Sequence, residues 1–167
     1  MTYKKDFTHL DANGKAHMVD VGLKEPSKRI AKAQAIVHLS QDTLDKLLAQ
    51  DMPKGDVLAC ARIGAIMAAK KTSELIPLCH NIPLTHAGVE FEILDKPPRI
   101  RVLTECACLA RTGVEMEAII AAQCAAAIIY DMCKAVQRDI VIDDVRLLYK
   151  SGGRSGEFRA DSSNATT

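Results

Sequence analysis

The sequence predicts an α+β fold in which an antiparallel sheet packs on helices, the ferredoxin-like split β-α-β-β-α-β arrangement. Three observations point to it. Residues 87–108 hold two alternating runs: Val89, Phe91 and Ile93 against Glu90 and Glu92, then RIRVLTECAC after the turn DKPP. Alternation on both sides of a turn is the mark of adjacent antiparallel strands. Two long apolar segments flank that hairpin, DVLACARIGAIMAAKKT and TGVEMEAIIAAQCAAAIIYDMCKAVQ, and both read as largely buried helices. Finally, β-patterned runs open and close the series, AQAIVHLS before it and IVIDDVRLLYK after it.

Each element has its own reason. Residues 1–32 are polar and Lys-rich, with DANG as a turn and EPSK as a break, and are expected to form an arm or loop. AQAIVHLS begins the core domain at residue 33, and SQDTLDKLLAQ follows as a helix with Ser40 or Asp42 as its N-cap. MPKG ends that helix, and Asp56 is placed to cap the next, whose last turn carries Lys70 and Lys71 where the helix dipole favours cations. Counting these two helices as one crossover and adding the hairpin, the Ala-rich helix and the last strand completes a domain over residues 33–150. Residues 151–167 are expected to be a Gly-rich basic loop and a flexible tail.

Composition narrows the function. A chain of 167 residues with 48% hydrophobic content fits one buried domain. Basic and acidic residues nearly balance, 22 against 21, so no global field draws the protein to nucleic acid or membrane. The N-terminus has no signal-peptide pattern and the apolar stretch AIIAAQCAAAIIY is too short to span a bilayer, so a cytoplasmic protein is expected. Six cysteines occur without any C-x-x-C pair, which favours reduced thiols over disulfides or structural zinc.

Glu117, Asp131 and Lys134 interrupt the long helix. Glu117 and Asp131 lie two heptads apart and so near one helical face, while Asp131 and Lys134 are i, i+3 neighbours. At the helical rise those ends are about 21 Å apart, so a site using both is best shared between subunits. The plainer reading is a solvated stripe with a surface ion pair, and spacing alone does not choose between them. Basic residues gather at breaks in the pattern: Lys54 in PKGD, Lys70 and Lys71 before TSELIP, Lys150 and Arg154 in KSGGRSG. Gly-rich turns with flanking cations suit phosphate, although no Walker loop is present. The string LIPLCHNIPL sets Cys79 beside His80. Too few further ligands are suitably spaced for zinc, and adjacent residues of an extended segment point apart, against a Cys–His dyad. A buried, hydrogen-bonded histidine and a substrate-binding one both remain open.

The strings AHMVDV, KGDV…AR…AAKKTSELIPLCH, TGVEMEA, YDMCKA and RLLYKSGGRSG occur in this order over about residues 8 to 159. Together they closely resemble the cyclic pyranopterin monophosphate synthase family, accessory enzymes in the first stage of molybdenum-cofactor biosynthesis. The resemblance implies a ferredoxin-like subunit in a homohexamer, a trimer of dimers with active sites at dimer interfaces. It implies a lyase acting on the cyclic dihydroguanosine triphosphate that a radical GTP cyclase makes from GTP, giving cyclic pyranopterin monophosphate and pyrophosphate without a metal or organic cofactor. By the same resemblance Asp131 and Lys134 are catalytic. Leu78, Cys79, His80, Met116 and Glu117 bind substrate, with Glu115, Lys54, Lys70, Lys150, Asp20 and Arg29 as further pocket positions. No role carries onto His86, Cys106 or Cys108, which lie where the family varies.

Opening a purine ring and building a pterin need proton transfers near neutral pH, which a partly desolvated Lys134 with Asp131 can supply. A ribose oxygen must attack the phosphate next to the sugar as pyrophosphate leaves, so cations such as Lys54, Lys70 and Lys150, helped by Arg29 and the KSGGRSG amides, are expected to hold the triphosphate. Two other classes compete. An RNA-binding sheet needs stacking aromatics, but the chain has three Phe, three Tyr and no Trp. A non-catalytic nucleotide-binding regulatory subunit needs the phosphate grip without Asp131 and Lys134.

Overall fold

The computed structural model describes Leu10, residues 13–154 and residues 156–161. The rest of the expected arm and tail, with Ser155, lies outside the described residues. In chain order the elements are β1 Ser27–His38, α1 Gln41–Leu48, α2 Val57–Lys70, α3 Thr72–Leu75, β2 Leu84–Asp95, β3 Pro98–Ala110, α4 Glu115–Cys133, β4 Val141–Ser151 and β5 Phe158–Arg159. The strands form one antiparallel sheet in the order β2-β3-β1-β4-β5. Its first four members have the topology expected of a ferredoxin-like α+β subunit.

The core lies between the sheet and α4. Along β1, Ala31, Ala33, Ala35 and Val37 are fully buried, and register sets them opposite Cys106, Thr104, Val102 and Ile100 of β3. Small side chains on β1 let α4 approach with its own buried row, Ala118, Ala121, Ala122, Ala125 and Ala126. The buried hydroxyl of Thr104 donates to the Ala118 carbonyl at 2.8 Å, tying helix to sheet with a bond that neither needs for its own ladder. On the outer side α2 packs against α4. It runs antiparallel to α4, because Lys54 just before α2 meets Asp131 near the end of α4. By length and composition alone α4 is apolar enough to cross a membrane, more than the stretch AIIAAQCAAAIIY led us to expect. Its apolar faces lie on β1, β3, β4 and α2 instead.

Both expected caps form: Ser40 accepts from the Thr43 amide, and Asp56 from the Ala59 amide at 2.9 Å. Other boundaries moved. β1 begins at Ser27 and not at Ala33, since Lys28 and Lys32 stand exposed on a strand whose alternate positions are covered, which the basic composition concealed. Arg29 therefore sits on a central strand. The helix α3 and the strand β5 were not expected, and α4 starts at Glu115 and stops at Cys133, with Lys134 as its C-cap. The glycines of KSGGRSG make the turn from β4 to β5, with Gly152 and Gly153 at φ of +98° and +77°, where other residues are strained.

Candidate active site

At the first turn of α4, Leu78, Cys79, His80, Met116 and Glu117 line one cavity of about 270 Å³, together with Val19 of the arm. The segment after α3 supplies the first three: α3 stops at Leu75, and the Cys79 amide donates back to the Ile76 carbonyl at 3.0 Å. The Nε2 of His80 lies 2.8 Å from the Val19 carbonyl. A carbonyl only accepts, so Nε2 carries a proton and the other ring nitrogen is an acceptor whenever the ring is neutral. His80 thus pins the arm to the cavity and lines it, hydrogen-bonded but only partly buried.

Glu117 is only 4% exposed. The pairing of Glu117 with Asp131 on one solvated stripe therefore does not hold: one end of the helix is buried and the other open. The small residues of β1 draw α4 so close to the sheet that Glu117 is enclosed, with Cys106 and Cys108 of β3 also fully buried on the face the helix covers. Burial pushes the Glu117 carboxyl above its ordinary value, and the neighbouring Glu115 adds to the rise. The same burial lifts the Cys106 thiol to about 12, so it stays protonated at neutral pH.

A second cavity of about 740 Å³ adjoins the first, sharing Lys24, Thr112, Gly113 and Glu115 with it. Arg29 and Lys150 line it, and Lys150 pairs with Glu115 at 3.1 Å. Gly152 and Gly153 lie on Arg29: a Cβ at position 153 would fall 1.7 Å from its guanidinium. Lys24 and Arg111 also line this cavity, though neither stood out in the sequence; Arg111 directly precedes the TGVEMEA string, the one signal that marked it.

The opposite end of α4 holds a separate charged cluster. Asp131 accepts from Lys134 at 2.7 Å and from Lys54 at 2.6 Å, one lysine on each carboxylate oxygen. Lys54 also donates to the Asp131 backbone carbonyl at 2.8 Å. Hydrogen bonds from Lys134 and then Lys54 hold the Asp131 carboxyl down to about 2, and the reciprocal bond raises Lys134. Lys134 is half exposed, so this chain alone does not supply the desolvation that its sequence position led us to expect.

The structure thus gathers Leu78, Cys79, His80, Met116, Glu117, Glu115, Arg29 and Lys150 at one end of α4, and Asp131, Lys134 and Lys54 at the other. The antiparallel course of α2 carries the exposed Lys70 to the first end. Asp20 sits beside the first cavity's arm residues, where its carboxylate accepts from the Gly22 amide at 2.7 Å and shapes a turn. Among the described residues no His, Cys, Asp or Glu cluster is arranged to hold a metal.

Residues 18–153 match the model of the MoaC family. A protein from Desulfovibrio desulfuricans is 60% identical over 92% of this chain and 94% of its own length, and is named cyclic pyranopterin monophosphate synthase. Proteins of the same name from Nitratidesulfovibrio vulgaris and Oleidesulfovibrio alaskensis are 55% and 53% identical, over 96% and 92% of this chain and 100% and 97% of their own lengths. With its motifs, its sheet order and its full-length similarity in accord, the chain belongs to the MoaC family.

Proposed function

We infer that this chain is a lyase of molybdenum-cofactor biosynthesis, converting the cyclic dihydroguanosine triphosphate supplied by a radical GTP cyclase into cyclic pyranopterin monophosphate and pyrophosphate. Family membership and the names of the relatives support the reading. The observation that carries it is Asp131 held between two lysines at an exposed helix end, one on each carboxylate oxygen. Lys134 is charged at neutral pH and is the proton donor to ring nitrogen or oxygen, while Asp131 orients it and relays protons. A general acid works best with a pKa near the working pH, so Lys134 must be desolvated further, and a neighbouring subunit closing over it would do this. In this reading the Cys79–His80–Glu117 cavity receives the ring. Lys54, Lys70 and Lys150, with Arg29 and the Gly152–Gly153 turn, hold the triphosphate while the ribose oxygen attacks and pyrophosphate departs.

The two clusters stand about 21 Å apart on one rigid helix, too far for one nucleotide-sized ligand to bridge comfortably. In this reading the active site takes its halves from two subunits; the family resemblance makes the assembly a homohexamer, a trimer of dimers, and the sequence composition places it in the cytoplasm. The direct test is incubation of the purified protein with the cyclic dihydroguanosine triphosphate, following pyrophosphate and the fluorescent oxidised pterin together. Wild type yields both and Lys134→Ala neither; substrate bound but unconverted by wild type would reduce the protein to a binding subunit.

A further inference from the structure

Lys134 stands one residue beyond Cys133, the last helical residue of α4, where a helix end frays unless something ties it down. Its partner Asp131 has such a tie in Lys54, which grips both the carboxylate and the backbone carbonyl. The turn after Lys134 has another. The amides of Val136 and Gln137 both donate to the Cys133 carbonyl, at 2.8 and 3.0 Å, and fold the chain back on the helix end. From that turn the Gln137 side chain reaches the start of α1: its Oε1 accepts from the Ser40 amide at 2.8 Å, and its Nε2 donates to Asp139 at 2.9 Å. A backbone amide only donates and a carboxylate only accepts, so the side-chain amide has a single orientation. The Tyr130 hydroxyl braces the same turn from the helix side, donating to the Arg138 carbonyl at 3.2 Å.

Ser40 caps α1 with its hydroxyl, and the amide of such a capping residue is commonly met by a Glu or Gln three residues into the helix. That position is Thr43 here, and its hydroxyl is engaged with the Ser40 Oγ at 2.9 Å. Gln137, 97 residues away along the chain, meets the amide instead. We propose that Gln137 is a positioning residue for the reaction: by clamping the turn behind Lys134 to the cap of α1, it holds the Lys134 ammonium on Asp131 in the geometry from which a proton is delivered. Gln137 lines neither cavity at the start of α4, so it acts through Lys134 and not on the ligand. That Lys134 delivers a proton rests on the synthase reading; that Gln137 fixes the turn rests on its own bonds.

The test is steady-state turnover across pH for wild type and Gln137→Leu, which is close to glutamine in size and makes neither bond. Its kcat is expected to fall about threefold to tenfold with KM within about twofold of wild type, because the ligand's contacts are untouched. The alkaline limb of the kcat profile should also move to lower pH. Facing the Lys134 ammonium are Asp131 and Tyr130 of its own helix, with Lys54 on the other oxygen of Asp131, and the bond from Asp131 is what chiefly raises Lys134. A looser turn weakens that bond, and the acid loses its proton sooner. Gln137→Glu keeps the Ser40 contact but opposes Asp139 and should also lose activity. Adding Asp139→Asn gives that carboxylate a donor and should return kcat to within about twofold of wild type. Hydrogen exchange over residues 131–137, read by mass spectrometry, should be faster in Gln137→Leu and normal in the double variant. An unchanged kcat in Gln137→Leu beside an active wild type overturns the proposal and leaves the synthase reading. A fall in kcat with an unmoved pH profile and no recovery in the double variant reduces Gln137 to a structural bond, which also overturns it. A wild type without turnover sinks the synthase reading and with it the catalytic role of Gln137, while unchanged exchange in Gln137→Leu removes the clamp itself whatever the turnover.

Discussion

Two carboxylates on α4 show how far environment separates like residues. Asp131 sits in water between lysines, and its stabilising contribution is present above its ordinary value of 3.8 and lost as pH falls through about 2. Glu117 is enclosed by the helix–sheet contact, and its value moves the other way. The folded state then binds more protons than the unfolded one, so stability is greatest below the ordinary value of 4.5 and declines as pH rises through the raised value. Glu117→Gln removes that decline. Thermal unfolding should show variant and wild type differing least below the ordinary value of 4.5 and the variant gaining on wild type as pH rises from there through the raised value. Parallel curves across that range would mean that Glu117 ionises freely in the folded protein.

At the level of elements, α4 is the axis on which both clusters are mounted, and its straightness and depth set where they stand. Small residues decide that depth. Gly64 of α2 faces Ile128 so closely that a Cβ would fall 2.1 Å from the end of the isoleucine side chain. That end can rotate aside, and alanine favours a helix interior by about 1 kcal/mol, so Gly64→Ala should be near neutral. Gly64→Leu has nowhere to go and should cost about 1–3 kcal/mol in chemical denaturation. It should also impair turnover, because pushing α2 away from α4 moves Lys54 off Asp131; a fully active Gly64→Leu variant would show that the two are not coupled. The caps at Ser40 and Asp56, the hairpin and the Ala-rich helix were legible because each depends on neighbours within a few residues. The start of β1 was not, since its lysines look like loop chemistry until β3 and β4 pair on either side.

For the whole molecule, the proposed division of the active site makes a strong demand. If the ring cavity of one subunit works with the Asp131 cluster of another, His80→Ala and Lys134→Ala subunits are each inactive alone. Co-expressed and purified as mixed oligomers, they should recover a measurable part of wild-type turnover, because some interfaces then contain both intact halves. No recovery in verified mixed oligomers would place the chemistry within one chain and require a large movement of α4 or the arm. The outcome also bears on Lys134, which is half exposed in the single chain.

The sequence by itself determined the α+β class, the order of β1 to β4 with α1, α2 and α4, the Asp131–Lys134 neighbourhood and, through its motif strings, the family. These follow from local periodicity, capping and i, i+3 spacing, which act within a turn or two of chain. Only the tertiary structure decided that Glu117 is buried while Asp131 is not, that Lys54 reaches Asp131, and that Arg111 joins Arg29 and Lys150 around one basic cavity. Those relations join residues far apart in sequence, and they exist only once alanines on β1 and α4 have let the helix settle onto the sheet.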